Sequence, residues 1–187
     1  MAASASAGLE QLAPHFVAQS RRGFCGVATA VLVVNAALQP KPPATQAGFF
    51  GWTLDDLRAN LAVTAGGMTL EELASFLRAK GLQVQVVHAE RSNAGAKAFR
   101  LAASAALRNP RRLLIVNYDR RRLGQEGAGH LSPLGAYDPA TDRLLVMDEA
   151  AHRCPQTWVP LGDLWAAMAT VDSDSGRMRG YLLVRRD

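Results

Sequence analysis

Cysteine is scarce in this chain. Only Cys25 and Cys154 among the 187 residues carry thiols. Two are too few for a disulfide framework or a structural zinc site. A bridge between them would remove a thiolate nucleophile, so two free thiols are expected, in a reducing compartment or a protected pocket. Long hydrophobic runs are missing as well. Hydrophobic residues make up 49%, but their stretches are short and none reaches the length of a membrane span. The N-terminus has neither a basic n-region nor an apolar h-region, so it is not a signal peptide as written. A cytoplasmic location follows as the expectation. The small residues Ala2–Ala7 resemble the tail of a signal, which leaves a periplasmic protein with its signal removed as the second option. Lysine is rare beside arginine, and the net charge is +5. The arginines cluster at 21–22, 111–112, 120–122 and 185–186. With no long basic helix, no aromatic interleaving and no recognition motif, nucleic acid ranks a distant third as the reason for them. Solvated faces rank first, and mild steering of an anionic small substrate second.

What remains fits one globular domain, long enough to bury a core without staples. Residues 1–8 read as a flexible tail and 9–187 as the domain. A short helix over 9–18 is interrupted by Pro14. The apolar run 26–38 has a helix's length and a strand's valines; burial favours helix. A short helix is expected over 54–60. Thr69-Leu70-Glu71-Glu72 is a capping box and Lys80-Gly81 a stop, predicting a helix over 70–80. Further helices are predicted over 94–108 and 163–171. Strands are predicted over 82–88, 112–118, 130–137, 143–148 and 180–186. Helices first and antiparallel strands later indicate an α+β fold.

The chemistry gathers around Cys25. A thiol at a helix N-terminus feels the positive end of the backbone dipole, which favours the thiolate. Gln19, six residues earlier, can donate an amide hydrogen to an oxyanion beside that sulfur. His130 and Asp148 flank the turn near Ala140, and antiparallel pairing about it sets Asp148 opposite residues 130–132. The carboxylate can then hold one ring nitrogen of His130 while the other faces a thiol. Gln, Cys, His, Asp is the chain order of papain-like enzymes, in which a base activates the thiol and a third group orients the base. Each residue alone reads more readily as packing or a strand end; their joint placement favours catalysis.

Several segments together carry a family resemblance: Phe24-Cys25-Gly26-Val27-Ala28, Gly67-Met68-Thr69-Leu70, Ile115-Val116-Asn117-Tyr118, Gly129-His130-Leu131-Ser132-Pro133-Leu134, Asp142–Asp148, Trp158-Val159 and Leu164–Met168. Over about residues 9–184 the chain resembles the phytochelatin synthases, most closely their short bacterial forms. The resemblance implies a papain-like fold, with an N-terminal helical part and a C-terminal antiparallel sheet. It also implies Cys25 as nucleophile, His130 as base, Asp148 as orienter and Gln19 as oxyanion donor. Asn117, Asp172 and Arg179 match positions that line or support the γ-glutamyl pocket. The implied substrate is glutathione or a related γ-Glu-Cys peptide, cleaved at the Cys–Gly bond through a thioester. That thioester passes to water or to a second thiol peptide. No cofactor or resident metal is implied; cadmium or zinc enters through metal–thiolate substrate. No nucleic acid or membrane partner is implied, and a homodimer stays open.

The plant and fungal members carry a Cys-rich C-terminal domain with no counterpart in these 187 residues. The chain also departs from the family after Asp148, with Ala151 and Cys154 where an arginine and a tyrosine are usual. Hydrolysis is therefore expected to outrun transpeptidation. Two alternatives are a papain-like peptidase or acyltransferase for another thiol-containing amide, and a non-catalytic thiol or metal module built from Cys25, His130, His152 and Cys154.

Overall fold

A computed structural model of the protein describes residues 5–51, 53–150 and 156–186. Ala151, His152 and Cys154 lie outside the described residues. Helix α1 (Ala7–Leu12) runs into a 3₁₀ turn at Ala13–His15, where Pro14 cannot continue an α-helix. Helix α2 spans Cys25–Leu38. Helices α3 (Leu54–Gly66) and α4 (Leu70–Ala79) both open on capping boxes, Thr53 with Asp56 and Thr69 with Glu72. Strand β1 (Gln83–His88), helix α5 (Asn93–Leu107), strands β2 (Arg112–Asp119), β3 (Gly129–Asp138), β4 (Arg143–Val146) and β5 (Thr157–Pro160), helix α6 (Leu161–Met168) and strand β6 (Gly180–Arg185) complete the order.

The six strands form one antiparallel sheet in the order β1-β6-β2-β3-β4-β5. Both of its faces are covered, which explains why β2 reads as an unbroken apolar run and not as an alternating one. Leu114, Val116 and Tyr118 point into a core shared with Phe99 and Leu107 of α5 and with Leu164 and Met168 of α6. Leu113 and Ile115 point the other way, onto Leu32 and Val33 of α2 and Leu73 and Leu77 of α4. The period of two in β2 thus assigns neighbouring residues to opposite cores. In α2 every residue from Gly26 to Ala37 is buried, so packing overrides the strand preference of its valines. Its end is set by Gln39, which takes a left-handed φ of 47°.

The α+β class is the one expected. Several boundaries differ, among them the last helix, expected over 163–171 and found at Leu161–Met168. The first eight residues are not all tail: Ala5 is buried and exchanges backbone hydrogen bonds with Tyr137, at 2.9 and 2.8 Å. Helix α3 does not stop near Asn60 but continues to Gly66, where Gly67 at φ +89° breaks it. The β4 strand ends at Val146, two residues before Asp148. A short 3₁₀ turn, Arg120–Leu123, and strand β5 were not expected.

Candidate active site

Cys25 is the first residue of α2, half-buried, with its sulfur unpaired in any disulfide. His130 is the second residue of β3, and Asp148 follows the end of β4; both side chains are buried. The Leu134–Val146 pairing, followed by the bond from the Met147 amide to the Pro133 carbonyl, carries Asp148 back to the start of β3. There His130 Nε2 lies 2.9 Å from Asp148 Oδ1. That bond requires the proton on Nε2 and leaves Nδ1 for Cys25, with which His130 is also hydrogen-bonded.

The electrostatics favour an ion pair. Burial alone would push the Cys25 thiol up, but the charge of His130, its hydrogen bond and the Leu131 and Gly26 amides outweigh it and hold the thiol below its ordinary value. Burial would likewise lower His130; the charge of Cys25 and the hydrogen bond to Asp148 reverse this and raise it to about 9. Thiolate and imidazolium therefore stabilise each other. Asp148 is pushed up by its own burial and brought below the usual carboxylate range by His130, by Arg120 and by the Ala150 amide at 2.8 Å.

Arg120 was not anticipated; in the run 120–122 it read as part of a solvated face. Arg121 and Arg122 are indeed exposed, but Arg120 is buried. Its Nη2 lies 2.7 and 2.5 Å from the two Asp148 oxygens, and its Nη1 donates to Gln125 Oε1 at 3.2 Å. Nη2 also stands 2.9 Å from His130 Nε2, since both aim at one carboxylate. Glu149 was missed too, and it is fully enclosed directly beside Asp148.

Two cavities meet at Cys25 and His130. The larger, about 420 Å³, is lined by Gln19, Arg22, Arg120, Glu126 and Ala150. In it the Gln19 Nε2 donates to the Arg21 carbonyl at 3.1 Å, and the Gln19 backbone N–H donates to the Glu149 carbonyl at 2.9 Å. The smaller, about 240 Å³, holds Asn117, Asp172 and Arg179. These three are buried and joined: Arg179 Nη1 donates to Asn117 Oδ1 at 2.9 Å and lies 3.1 Å from Asp172 Oδ1. Arg179 lines this cavity, and its Nε is buried without a partner, an unmet donor within the cluster. The structure thus brings together all seven residues singled out in the sequence. Among the described residues, no group of three His, Cys, Asp or Glu is placed to hold a metal ion.

A thiol paired with an imidazolium at a helix N-terminus, oriented by a buried carboxylate and open to two cavities, defines a site suited to cysteine-based acyl transfer. The chain matches the phytochelatin synthase family profile over residues 1–181 and belongs to that family. It is 32% identical to "Glutathione gamma-glutamylcysteinyltransferase 3" of Lotus japonicus over 96% of its own length and 38% of the relative's. It is 34% identical to "Glutathione gamma-glutamylcysteinyltransferase 1" of Triticum aestivum, over 96% and 36%. The chain spans less than half the length of these curated relatives. Among solved structures it is similar to a double glycine motif protease from an AMS/PCAT transporter, with 13% identity, a TM-score of 0.42 and 92% and 91% of the two chains covered.

Proposed function

We propose that the protein cleaves the Cys–Gly amide of glutathione, or of a close γ-Glu-Cys relative, through a Cys25 thioester that water then hydrolyses. The observation that carries this reading is the Cys25–His130 pair set between the two cavities, with Asp172, Asn117 and Arg179 on one side. The γ-glutamyl end carries an ammonium and a carboxylate; Asp172 accepts from the first and Arg179 donates to the second. The scissile carbonyl then lies over Cys25. Its sulfur attacks the carbonyl carbon, and the developing oxyanion receives hydrogen bonds from Gln19 Nε2 and from the Cys25 amide, one of the first N–H groups of a helix and without a helical acceptor. His130 gives its Nδ1 proton to the departing glycine nitrogen. A water entering from the larger cavity returns a proton to His130 as it attacks the thioester, releasing γ-Glu-Cys and restoring the thiolate.

Hydrolysis is favoured over peptide transfer because a second peptide must be held tightly to compete with water. Ala151 and Cys154 supply neither the arginine nor the tyrosine usual at those positions in the family. Incubation with glutathione, followed by liquid chromatography and mass spectrometry, tests the reading. Glycine, free γ-Glu-Cys and a transient acyl adduct on Cys25 are expected, and all three vanish in Cys25→Ala. Abundant (γ-Glu-Cys)₂-Gly would sink the hydrolase assignment. If no γ-Glu-Cys amide, S-conjugates included, releases glycine, the substrate assignment fails altogether.

A further inference from the structure

Next to ionised Asp148 the chain places a second carboxyl in the opposite setting. The side chain of Glu149 is fully buried. Its Oε1 lies 2.9 Å from Thr29 Oγ1, its Oε2 lies 3.1 Å from Ser132 Oγ, and its main-chain carbonyl accepts from the Gln19 amide. Thr29 is one turn along α2 from Cys25, and Ser132 is two residues along β3 from His130. One residue therefore touches the segments that carry Gln19, Cys25 and His130, and is covalently joined to Asp148.

The hydrogens in this cluster can be counted. Thr29 Oγ1 stands within reach of two acceptors, Glu149 Oε1 and the Leu131 carbonyl at 3.2 Å. A hydroxyl has a single hydrogen to give. With Ser132 donating to Oε2, three contacts share two hydroxyl hydrogens. Glu149's own backbone N–H also reaches its carboxyl, and Tyr118 also bonds with Ser132, but neither supplies a hydrogen to the Thr29–Leu131 contact; a protonated carboxyl does. Oε1–H then donates to Thr29, Thr29 donates to the Leu131 carbonyl, and every contact is satisfied. A carboxylate leaves one of the three unmade.

We propose that Glu149 is a positioning residue for the thiolate–imidazolium pair: as a neutral carboxylic acid it pins α2 to β3 through this hydrogen-bond chain, and its ionisation disables the site at alkaline pH. Burial pushes the Glu149 carboxyl up to about 8, against the pull of His130 and Thr29 and with the push of Asp148. The titratable groups facing it are His130 from β3, Tyr118 from β2 and Asp148 along the chain, while α2 contributes Thr29 and, a turn away, Cys25. Once ionised, it becomes a further buried anion beside Asp148 and must draw the Thr29 hydrogen away from Leu131. His130 holds its proton to about 9, so Glu149 yields first.

The inference rests on the Cys25–His130–Asp148 reading of the site, and its test separates the two. Glutamine matches the neutral acid in shape, donates to Thr29, accepts from Ser132 and does not ionise. In the wild type, glycine release from glutathione should fall as pH rises through about 8; in Glu149→Gln the fall should move to about 9, where His130 titrates. Glu149→Val, which keeps the volume of a small side chain but none of the bonds, should lose roughly tenfold or more in Cys25 alkylation rate at neutral pH, the scale of one lost hydrogen bond to the network. Infrared difference spectroscopy reads the acid directly, with no substrate present. A protonated-carboxyl band should be present at neutral pH, vanish on titration through about 8, and be missing in Glu149→Gln. An unchanged alkaline limb in Glu149→Gln overturns the proposal, as does the lack of that band in the neutral wild type. If the band titrates as expected while no glycine is ever released, the substrate reading is what fails.

Discussion

Holding one carboxyl ionised and its neighbour neutral, both out of water, takes different partners at each. Asp148 has a cation on each side; Glu149 has two hydroxyls. Removing Arg120 therefore strands a buried charge. Arg120→Ala should destabilise the fold by about 3–5 kcal/mol, the range for breaking a buried pair from one side, and slow Cys25 alkylation because His130 loses its fixed orienter. Thermal melting and iodoacetamide kinetics check the two effects. Cys25 itself should alkylate rapidly at mildly acidic pH, because its thiol lies below the ordinary value. In His130→Ala only the Leu131 and Gly26 amides are left to oppose burial, so the thiol should rise and the acidic-pH reactivity disappear. Gln19→Ala should reduce glycine release by roughly a hundredfold or more with folding intact, the scale for one oxyanion donor; near-normal turnover would make Gln19 a structural residue.

At the level of elements, the first residue of β3 decides the shape of the smaller cavity. Gly129 is bare of a side chain, and a Cβ there would collide with the Arg179 guanidinium. Gly129→Ala should push Arg179 off Asn117 and Asp172, raising KM for glutathione by more than it lowers kcat. Equal effects on both would place the damage at His130 instead. Much of this level was legible in the sequence. The capping box at Thr69, the stop at Gly81 and the alternating β1 follow from local chemistry. The hairpin around Ala140 was enough to bring Asp148 back to His130. What escaped depended on distant partners. Three successive arginines look alike in sequence, and Arg120 is set apart from its neighbours only by a carboxylate 28 residues on. The burial of Glu149 depends on Thr29, 120 residues away. Strand β5, with four residues, is too short to show a period.

For the molecule as a whole, the same carboxyl links stability to pH. The folded Glu149 keeps its proton to about 8, whereas an unfolded one loses it near 4.5. Its raised value means the stability it contributes is fully present below about 4.5 and is lost as pH rises to about 8. His130, raised to about 9 from 6.5, adds a loss in the same direction over a later window. Glu149→Gln should remove the first loss, so that its melting temperature exceeds the wild type's by a margin that grows with pH up to about 8 and then levels off. A constant margin would mean that Glu149 is ionised throughout.

The thread between Thr29 and Glu149 also sets a schedule. Cys25 leaves the ribosome 124 residues before Glu149, about 6–25 s earlier at typical synthesis rates of roughly 5–20 residues per second. For most of that interval the emerging chain holds a sulfur with neither base, orienter nor clamp. Its thiol is then an ordinary one, mostly protonated at neutral pH and slow to attack an amide. On the proposed reading, glutathione passes an unfinished chain untouched, and the thiol is armed only when the second half of the sheet closes over the first.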